Sequence, residues 1–323
     1  MNALPDQFLE RLRQIIPQNR WPMVWNSFQC NKPLVVRINT TLTNIDTVIQ
    51  LLENLSIPYR RIPWKPDALV FNTEDRSRVL DSDMYQRGLL YSQNLSSQLA
   101  PLVLDPQPGE EVLDMCAAPG GKTSQIVCMM QDSGRIAAVE KVKSRFFKLK
   151  ANLDKLQHQS VHTYLADGIG LWRKTPQRFD RILLDAPCSS ESRFQINNPD
   201  SYAHWKPRKI KETSRKQKRL LYSAVHCLKP GGILVYSTCA FAPEENEAVI
   251  DHILNTFAQQ LEILPINLPL PNLQQGLTQW QGKEFDISLK DSVRVLPNEL
   301  MDGFYICRLI KTASTLAEKS AAG

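Results

Sequence analysis

The sequence predicts an α/β protein: a mostly parallel, doubly wound, Rossmann-like sheet behind a small N-terminal α+β module. Three observations carry this. From about residue 108, short apolar runs alternate with amphipathic helical stretches, the pattern of a parallel sheet covered on both faces. Several of those runs end in an acid or a cysteine, and the first leads into the glycine turn CAAPGGKTS at 116–124. In such sheets ligands bind beyond the carboxyl ends of the strands. The residues to inspect are therefore Asp114, Cys116, Glu140, Asp167, Asp185, Cys188 and Cys239.

In chain order, PDQFLERLRQII and NIDTVIQLLENL read as helices and PLVVRINT as a strand. With the aromatic-basic stretch YRRIPWKP they form a module expected to span 1–85. Arg37, Arg60, Arg61 and Lys65, near Tyr59 and Trp64, suit an RNA surface, and covering the main domain is the alternative. The main domain, expected at 86–311, opens on the buried strand PGEEVLDM and a helix over 121–131. GRIAAVE is the next strand. SRFFKLKANLDKL is a helix with Phe147, Leu149, Leu153 and Leu156 on its apolar side. VHTYLAD and FDRILLDAP are two further strands. A helix through SRKQKRLLYSAVHCL, the turn KPGG and the strand ILVYSTC follow. EENEAVIDHIL is helical, with Glu244 and Glu245 in its first turn. LEILPIN and GFYICRLIK pair to close a sheet edge, and 312–323 is a flexible tail.

Composition narrows the function. With 42% hydrophobic and 22% charged residues the chain is an ordinary globular mixture. No apolar run has the length of a membrane span, and the early acids argue against a secretion signal; cytoplasmic residence, no membrane partner and a monomer are expected. Seven cysteines without C-x-x-C spacing are neither a disulfide framework nor a zinc site, so no metal is expected. The net charge of +6 is modest, but KPRKIKETSRKQKR at 206–219 sets eight Lys or Arg against one Glu. That run reads as a solvated helix face or a phosphate-gripping surface.

The turn poses a choice between two nucleotide chemistries. Gly121, Lys122 and Thr123 fit the end of a phosphate-binding G-x-x-x-x-G-K-[ST] loop, and FDRILLDAP mimics the strand and acid of a magnesium site. Against this, Cys116 replaces the opening glycine, and Pro119 removes an N–H that phosphate would use. Glu140, ending the next strand, suits two ribose hydroxyls and would repel a triphosphate, and Asp167 is placed to accept from an adenine amino group. A glycine turn and two acids on successive strands suggest an adenosine ligand without a phosphate tail, and S-adenosyl-L-methionine is the commonest. A dinucleotide G-x-G-x-x-G is lacking.

DMCAAPGGKT, LLDAPCSS and YSTCAFAPEENE together resemble the motifs of the Sun-type (NSUN-like) RNA cytosine-5 methyltransferases. The resemblance runs in order through roughly residues 86–311, and PLVVRINT is similar to the family's N-terminal module. It implies a class I methyltransferase fold, S-adenosylmethionine as donor and cytosine in ribosomal or transfer RNA as acceptor. It carries over Cys116, Ala117, Ala118, Pro119, Gly120, Gly121, Lys122, Glu140, Asp167 and Asp185 as cofactor contacts, and Cys239 as nucleophile.

The chemistry explains the need for two cysteines. Carbon 5 of cytosine becomes nucleophilic only after a thiolate adds at carbon 6; loss of the carbon 5 proton later expels that thiolate. Cys239 in the Thr-Cys motif matches the RNA enzymes' attacking residue, whereas DNA cytosine methyltransferases use the cysteine after proline. Cys188 then assists proton removal or thiol release, and Asp185 hydrogen-bonds the ring nitrogen or amino group. Many members have a glycine soon after Pro-Cys where this chain reads CSSESRFQINNP, Glu140 stands where Asp is usual, and Asn94 replaces a more typical acid. The competing readings are a class I methyltransferase with another acceptor and a non-catalytic RNA-binding or assembly factor.

Overall fold

The structure is a computed structural model that describes residues 4–316. Of the tail expected at 312–323, residues 317–323 lie outside the described part.

The chain begins with α1 (Asp6–Ile15) and α2 (Trp21–Ser27). The buried side chains of α1, Phe8, Leu12 and Ile15, recur at helical spacing. Phe8 packs among Phe28, Phe194, Trp205 and Phe241 at ring separations of 5.0–6.3 Å, so the first helix belongs to the core of the main domain. The N-terminal module is a sheet of β1 (Leu34–Ile38), β2 (Arg60–Ile62), β3 (Lys65–Phe71) and β4 (Leu90–Ser92). Its order is β2-β3-β1-β4, antiparallel throughout. Covering it are α3 (Ile45–Asn54), capped by the Asn44 carboxamide accepting from the Thr47 amide at 2.8 Å, and the short α4 (Arg76–Leu80) and α5 (Asp83–Gln86). Strand β4 lies beyond residue 85 and still pairs with β1.

Two of the four basic residues read as an RNA surface are interior. Arg37 is fully buried; its guanidinium donates to Gln93 Oε1 and to the hydroxyl of Ser124, joining the module to the main domain. Lys65 is buried against Asp67. Arg60 and Arg61 are exposed.

After α6 (Leu99–Leu104) the expected alternation follows: β5 (Glu111–Asp114), α7 (Gly121–Met129), β6 (Arg135–Glu140), α8 (Lys143–Lys155), β7 (Val161–Leu165), β8 (Phe179–Asp185), α9 (Pro207–Cys227), β9 (Leu228–Thr238) and α10 (Glu247–Thr256). Then come β10 (Leu261–Leu264), β11 (Leu273–Gln275), the hairpin β12 (Gln279–Trp280) and β13 (Lys283–Glu284), β14 (Val293–Val295) and β15 (Phe304–Lys311). The large sheet runs β11-β14-β15-β9-β8-β5-β6-β7, with β10 also paired to β15. Strands β5 to β9 are parallel and the later ones antiparallel. The chain winds outward from β5 through β6 to β7, then returns to β8 on the other side of β5. A ligand crevice therefore opens at the tips of β5 and β8.

Three local expectations are revised. Phe147 is 56% exposed while Leu149, Leu153 and Leu156 are buried; on α8 residue 147 stands about 200° from 149, since each residue turns about 100°. The late strands do pair, Leu261 with Lys311 through Leu264 with Arg308. However, β15 lies inside the sheet, along β9 on one side, with β14 and β10 dividing its other. Glu244 and Glu245 precede α10, which begins at Glu247.

Candidate active site

The tip of β5 delivers Asp114 and then the turn. Asp114 is buried; the Thr123 hydroxyl donates to its Oδ2 at 2.7 Å, while its Oδ1 has no partner. Burial pushes this carboxyl up to about 7, against the Thr123 hydrogen bond. The turn is held from several sides. The Ala117 amide donates to the Val139 carbonyl at 2.9 Å, Arg145 donates to the Ala118 carbonyl at 2.8 Å, and Asn152 donates to the Pro119 carbonyl at 2.7 Å. Gly120 takes φ +108°, a left-handed conformation natural to glycine. A Cβ on Gly121 would come within 2.9 Å of the Tyr91 ring. Gly120 is required by its backbone conformation and Gly121 by the Tyr91 ring, and α7 starts at Gly121 with its free amide groups.

The next two strand tips supply the reactive groups. Asp185 ends β8 opposite Ser237 of β9. Its Oδ2 accepts from Lys122 Nζ at 2.7 Å and its Oδ1 from the Ser237 hydroxyl at 2.9 Å. Because β8 and β9 are hydrogen-bonded neighbours, the turns that leave them run together. Cys188 Sγ and Cys239 Sγ stand 3.2 Å apart. The two thiols are pushed in opposite directions. The hydrogen bond between them raises Cys188 and lowers Cys239; burial raises both, and the Arg193 charge lowers Cys239 further. Cys239 is the thiol disposed to ionise. Cys116 is pushed well up by burial and by the neighbouring carboxylates, which leaves it a thiol.

Buried polar groups fix this geometry. The Thr238 hydroxyl donates to Asn246 Oδ1 at 2.6 Å, and the Asn246 amide donates to the Ala240 carbonyl at 2.9 Å, curling the chain just past Cys239. Glu245 accepts from the Ser189 amide at 3.0 Å and from its hydroxyl, holding the residue after Cys188. Ser190 adopts a left-handed φ of 58° in the CSS segment, where glycine is the unstrained choice.

Cys116, Ala117, Ala118, Pro119, Gly121, Lys122, Asp185, Cys188 and Cys239 line one cavity of about 520 Å³. Gly120, Glu140 and Asp167 do not line it. Gly120 is turned into the packing beside Leu149. Glu140 is buried at the end of β6, accepting from the Val142 amide at 2.8 Å and 3.4 Å from the cavity residue Arg145. Asp167 follows β7, accepts from the Ile169 amide at 3.1 Å and pairs with Lys141 at 2.7 Å. Sequence reasoning missed Tyr91, Gln93, Arg145 and Arg193, all of which line the cavity. Tyr91 and Gln93 come from the N-terminal sheet and its exit, which no local motif connects to the glycine turn. Among the described residues no group of His, Cys, Asp or Glu is arranged to hold a metal, and no helix is long and apolar enough to cross a membrane.

Comparison with known proteins agrees with this architecture. The family described as 16S rRNA methyltransferase RsmB/F matches residues 101–310, and the RsmF/B-like ferredoxin-like domain matches residues 4–76. The chain is 34% identical over 317 residues to ribosomal RNA small subunit methyltransferase F of Escherichia coli, covering 95% of this chain but 63% of that protein. It is 36% identical over 286 residues to the tRNA (cytosine(49)-C(5))-methyltransferase of Pyrococcus abyssi, covering 87% of this chain and 89% of the relative. Among solved structures, a methyltransferase homologue from Pyrococcus horikoshii superposes with a TM-score of 0.82 at 32% identity, over 96% of each chain. Matches of this extent and identity settle the descent: the chain belongs to the RsmB/F methyltransferase family, within the Sun-type group that its three motifs resemble.

Proposed function

We propose that this chain transfers a methyl group from S-adenosyl-L-methionine to carbon 5 of a cytosine in ribosomal or transfer RNA, in the cytoplasm. It acts as a monomer, since every group the reaction needs comes from one chain. The observation that carries the reading is the meeting of two thiols, 3.2 Å apart, in the cavity that the glycine turn opens into.

The cavity wall fits the cofactor. Asp114 Oδ1 is a buried acceptor in that wall with no partner, which suits a cationic amino-acid tail. The Tyr91 ring fills the space a side chain at Gly121 would take, so the cavity wall carries none there. Glu140 and Asp167, at the tips of β6 and β7, are assigned to the ribose and the adenine. When bound, S-adenosylmethionine supplies an electrophilic methyl group on a positively charged sulfur.

The protein's own residues do the rest. Cys239 Sγ forms a bond to carbon 6 of the base, and the electron pair of the 5,6 double bond becomes available at carbon 5. Asp185, held in place by Lys122 and Ser237, bonds the pyrimidine edge as charge develops there. Once carbon 5 carries the methyl, its proton leaves to a base, the C5–H electron pair re-forms the 5,6 double bond, and the C6–S pair departs with Cys239 as its thiolate. Cys188, kept protonated beside Cys239, serves this release. The target base leaves any stack first, at about a few kcal/mol.

RNA as acceptor is supported by the Thr238-Cys239 motif and by relatives whose names specify ribosomal and transfer RNA. The chain spans about 63% of the length of the ribosomal relatives it matches. Helix α9 buries Ile210, Thr213, Gln217 and Leu220. It leaves Arg208, Lys211, Arg215 and Arg219 exposed, and Gln217 donates to the Pro187 carbonyl next to Cys188 at 2.9 Å. That outward face is proposed to grip phosphates flanking the target. Residues 1–85 are proposed as a module that contributes to RNA contact, and 86–311 as the methyltransferase domain.

The test incubates candidate ribosomal and transfer RNAs with methyl-labelled donor and wild type, Cys239→Ala or Cys188→Ala protein. Cys239→Ala is expected to be inactive, and Cys188→Ala to accumulate a covalent protein–RNA adduct. Formation of 5-methylcytosine by Cys239→Ala would refute the assigned nucleophile. Label on protein or adenine would point to another acceptor, and no label on any RNA to a binding factor.

A further inference from the structure

Three cations line the active-site cavity, and two are committed. Lys122 is 2.7 Å from Asp185, and Arg145 is 3.4 Å from Glu140. Among the described residues Arg193 makes no ion pair and no side-chain hydrogen bond. Asp302, which lines an adjoining pocket with Arg193, already accepts from Lys32 at 2.7 Å and from Asn94 at 2.9 Å. A free guanidinium at the mouth of a site whose chemistry begins with a thiolate has an evident counterpart.

The backbone delivers Arg193 to that counterpart. It ends the tight turn Glu191–Arg193, and this turn is fastened to the segment that carries Cys239. The Ser192 amide donates to the Cys239 carbonyl at 3.1 Å. The Glu191 carboxylate accepts from the Phe241 and Ala242 amides, each at 2.8 Å, and from Trp205 Nε1 at 2.7 Å. The backbone that carries Arg193 therefore cannot move away from the Cys239 segment without breaking a buried cluster.

The other charged and titratable groups around Cys239 do not replace it. Cys188 lies at 3.2 Å as a thiol. Asp185 opposes ionisation, and its own charge is met by Lys122. Glu245, on the segment before α10, is also anionic when ionised and opposes it. We propose that Arg193 is a positioning residue for methyl transfer, holding the Cys239 sulfur as a thiolate before any RNA arrives. Its catalytic meaning rests on the function proposed above; the pairing itself does not. The charge of Arg193 lowers Cys239, second among the lowering causes to the Cys188 hydrogen bond, in line with thiols beside arginine elsewhere.

The test needs neither RNA nor methyl donor. The full chain is alkylated with iodoacetamide from pH 5.5 to 10, and modification of the Cys239 peptide is followed by mass spectrometry in wild type, Arg193→Gln and Arg193→Lys. The midpoint belongs to the Cys188–Cys239 pair, so only its displacement is read. Arg193→Gln is expected to move it upward by about one pH unit, slowing alkylation about tenfold below the midpoint, because one unit is a factor of ten. Rates converge at pH 10, and Arg193→Lys restores most of the difference. Adding 1 M KCl moves wild type toward the Gln variant, because salt screens an exposed charge. An unchanged midpoint in Arg193→Gln would overturn the proposal, and so would a rate lowered by one factor at every pH. A chain that shows the shift yet methylates no cytosine keeps the arginine–thiolate pair and loses the proposed function instead.

Discussion

Glu245→Gln tests the burial of charge behind the Cys188 turn. Glu245 is 0% exposed, accepts from the Ser189 amide and hydroxyl, and lies 3.4 Å from the Gln217 amide. Burial, and then the charge of Glu191, push its carboxyl from 4.5 up to about 8. Glu191 is pushed up by burial too, but three N–H donors surround it and stabilise its charge, so of the two Glu245 is the one that keeps its proton. A raised carboxyl stabilises the fold fully below pH 4.5, and that stability is lost as pH rises to about 8. The native state binds the extra proton across that window while the unfolded chain has released it. The loss is about 1.4 kcal/mol per pH unit, hence about 3 kcal/mol by pH 7 and about 5 kcal/mol by pH 8. Glutamine keeps an acceptor for the Ser189 amide and carries no proton to lose. Urea unfolding followed by tryptophan fluorescence at pH 5, 6, 7 and 8 should therefore show the variant gaining on wild type by about 1.4 kcal/mol with each unit. A constant difference across those four values would show that Glu245 ionises normally in the folded protein, and the account of the turn would fail.

Two further outcomes are expected. Arg294 and Glu247 form a fully buried bidentate pair, and Arg294 also donates to the Phe241 carbonyl at 2.8 Å; Arg294→Met should cost about 3–5 kcal/mol in urea unfolding because it strands a buried carboxylate. Arg294→Met with Glu247→Met should recover most of that loss, and an additive double variant would contradict the reasoning. On α9, replacing exposed Arg208, Lys211 and Arg215 with alanine should weaken RNA binding and reduce the slope of log affinity against log salt by about 0.7–0.9 for each phosphate that is no longer neutralised. A slope unchanged in fluorescence-anisotropy titrations would remove that face from the RNA path.

The sheet and the glycine turn were legible because their signals are local. A short apolar run ending in Asp114, two glycines and a following helix are all contained within 111–129. The same holds for Cys188 and Cys239, each just past an apolar strand whose partner strand could be inferred. What stayed hidden depends on partners distant in the chain. Arg37 reads as a basic residue grouped with the distant Arg60 and Arg61, but Gln93 and Ser124 await it in the interior. Glu245 reads as a helix-starting acid, whereas it turns inward to Ser189, 56 residues earlier. Arg193 falls in CSSESRFQINNP, where nothing local shows that the next residue back is bonded to Cys239. The strands inserted between β10 and β15 are two or three residues long, too short for a periodicity to register.

The buried acids share a purpose that the two sulfur atoms define. At 3.2 Å the thiols cannot both carry charge, so a single proton loss must be directed to one of them. Direction comes from asymmetry in what surrounds each. Cys239 receives the Cys188 hydrogen bond and the field of Arg193. Cys188 is raised by that same hydrogen bond and by burial, and Glu245 behind its turn adds to this only once it has lost its own proton. Glu191 fastens the Arg193 turn to the Cys239 segment, and Glu247 with Arg294 holds the Phe241 carbonyl two residues further on. Each of these carboxylates is costly to bury, and each touches the chain within a few residues of a reactive sulfur. The two thiols they surround differ: one is disposed to ionise and the other to keep its proton. That division matches an addition followed by an elimination, in which attack needs a thiolate at once and the sulfur that departs later, as carbon 5 loses its proton, can take one from its neighbour.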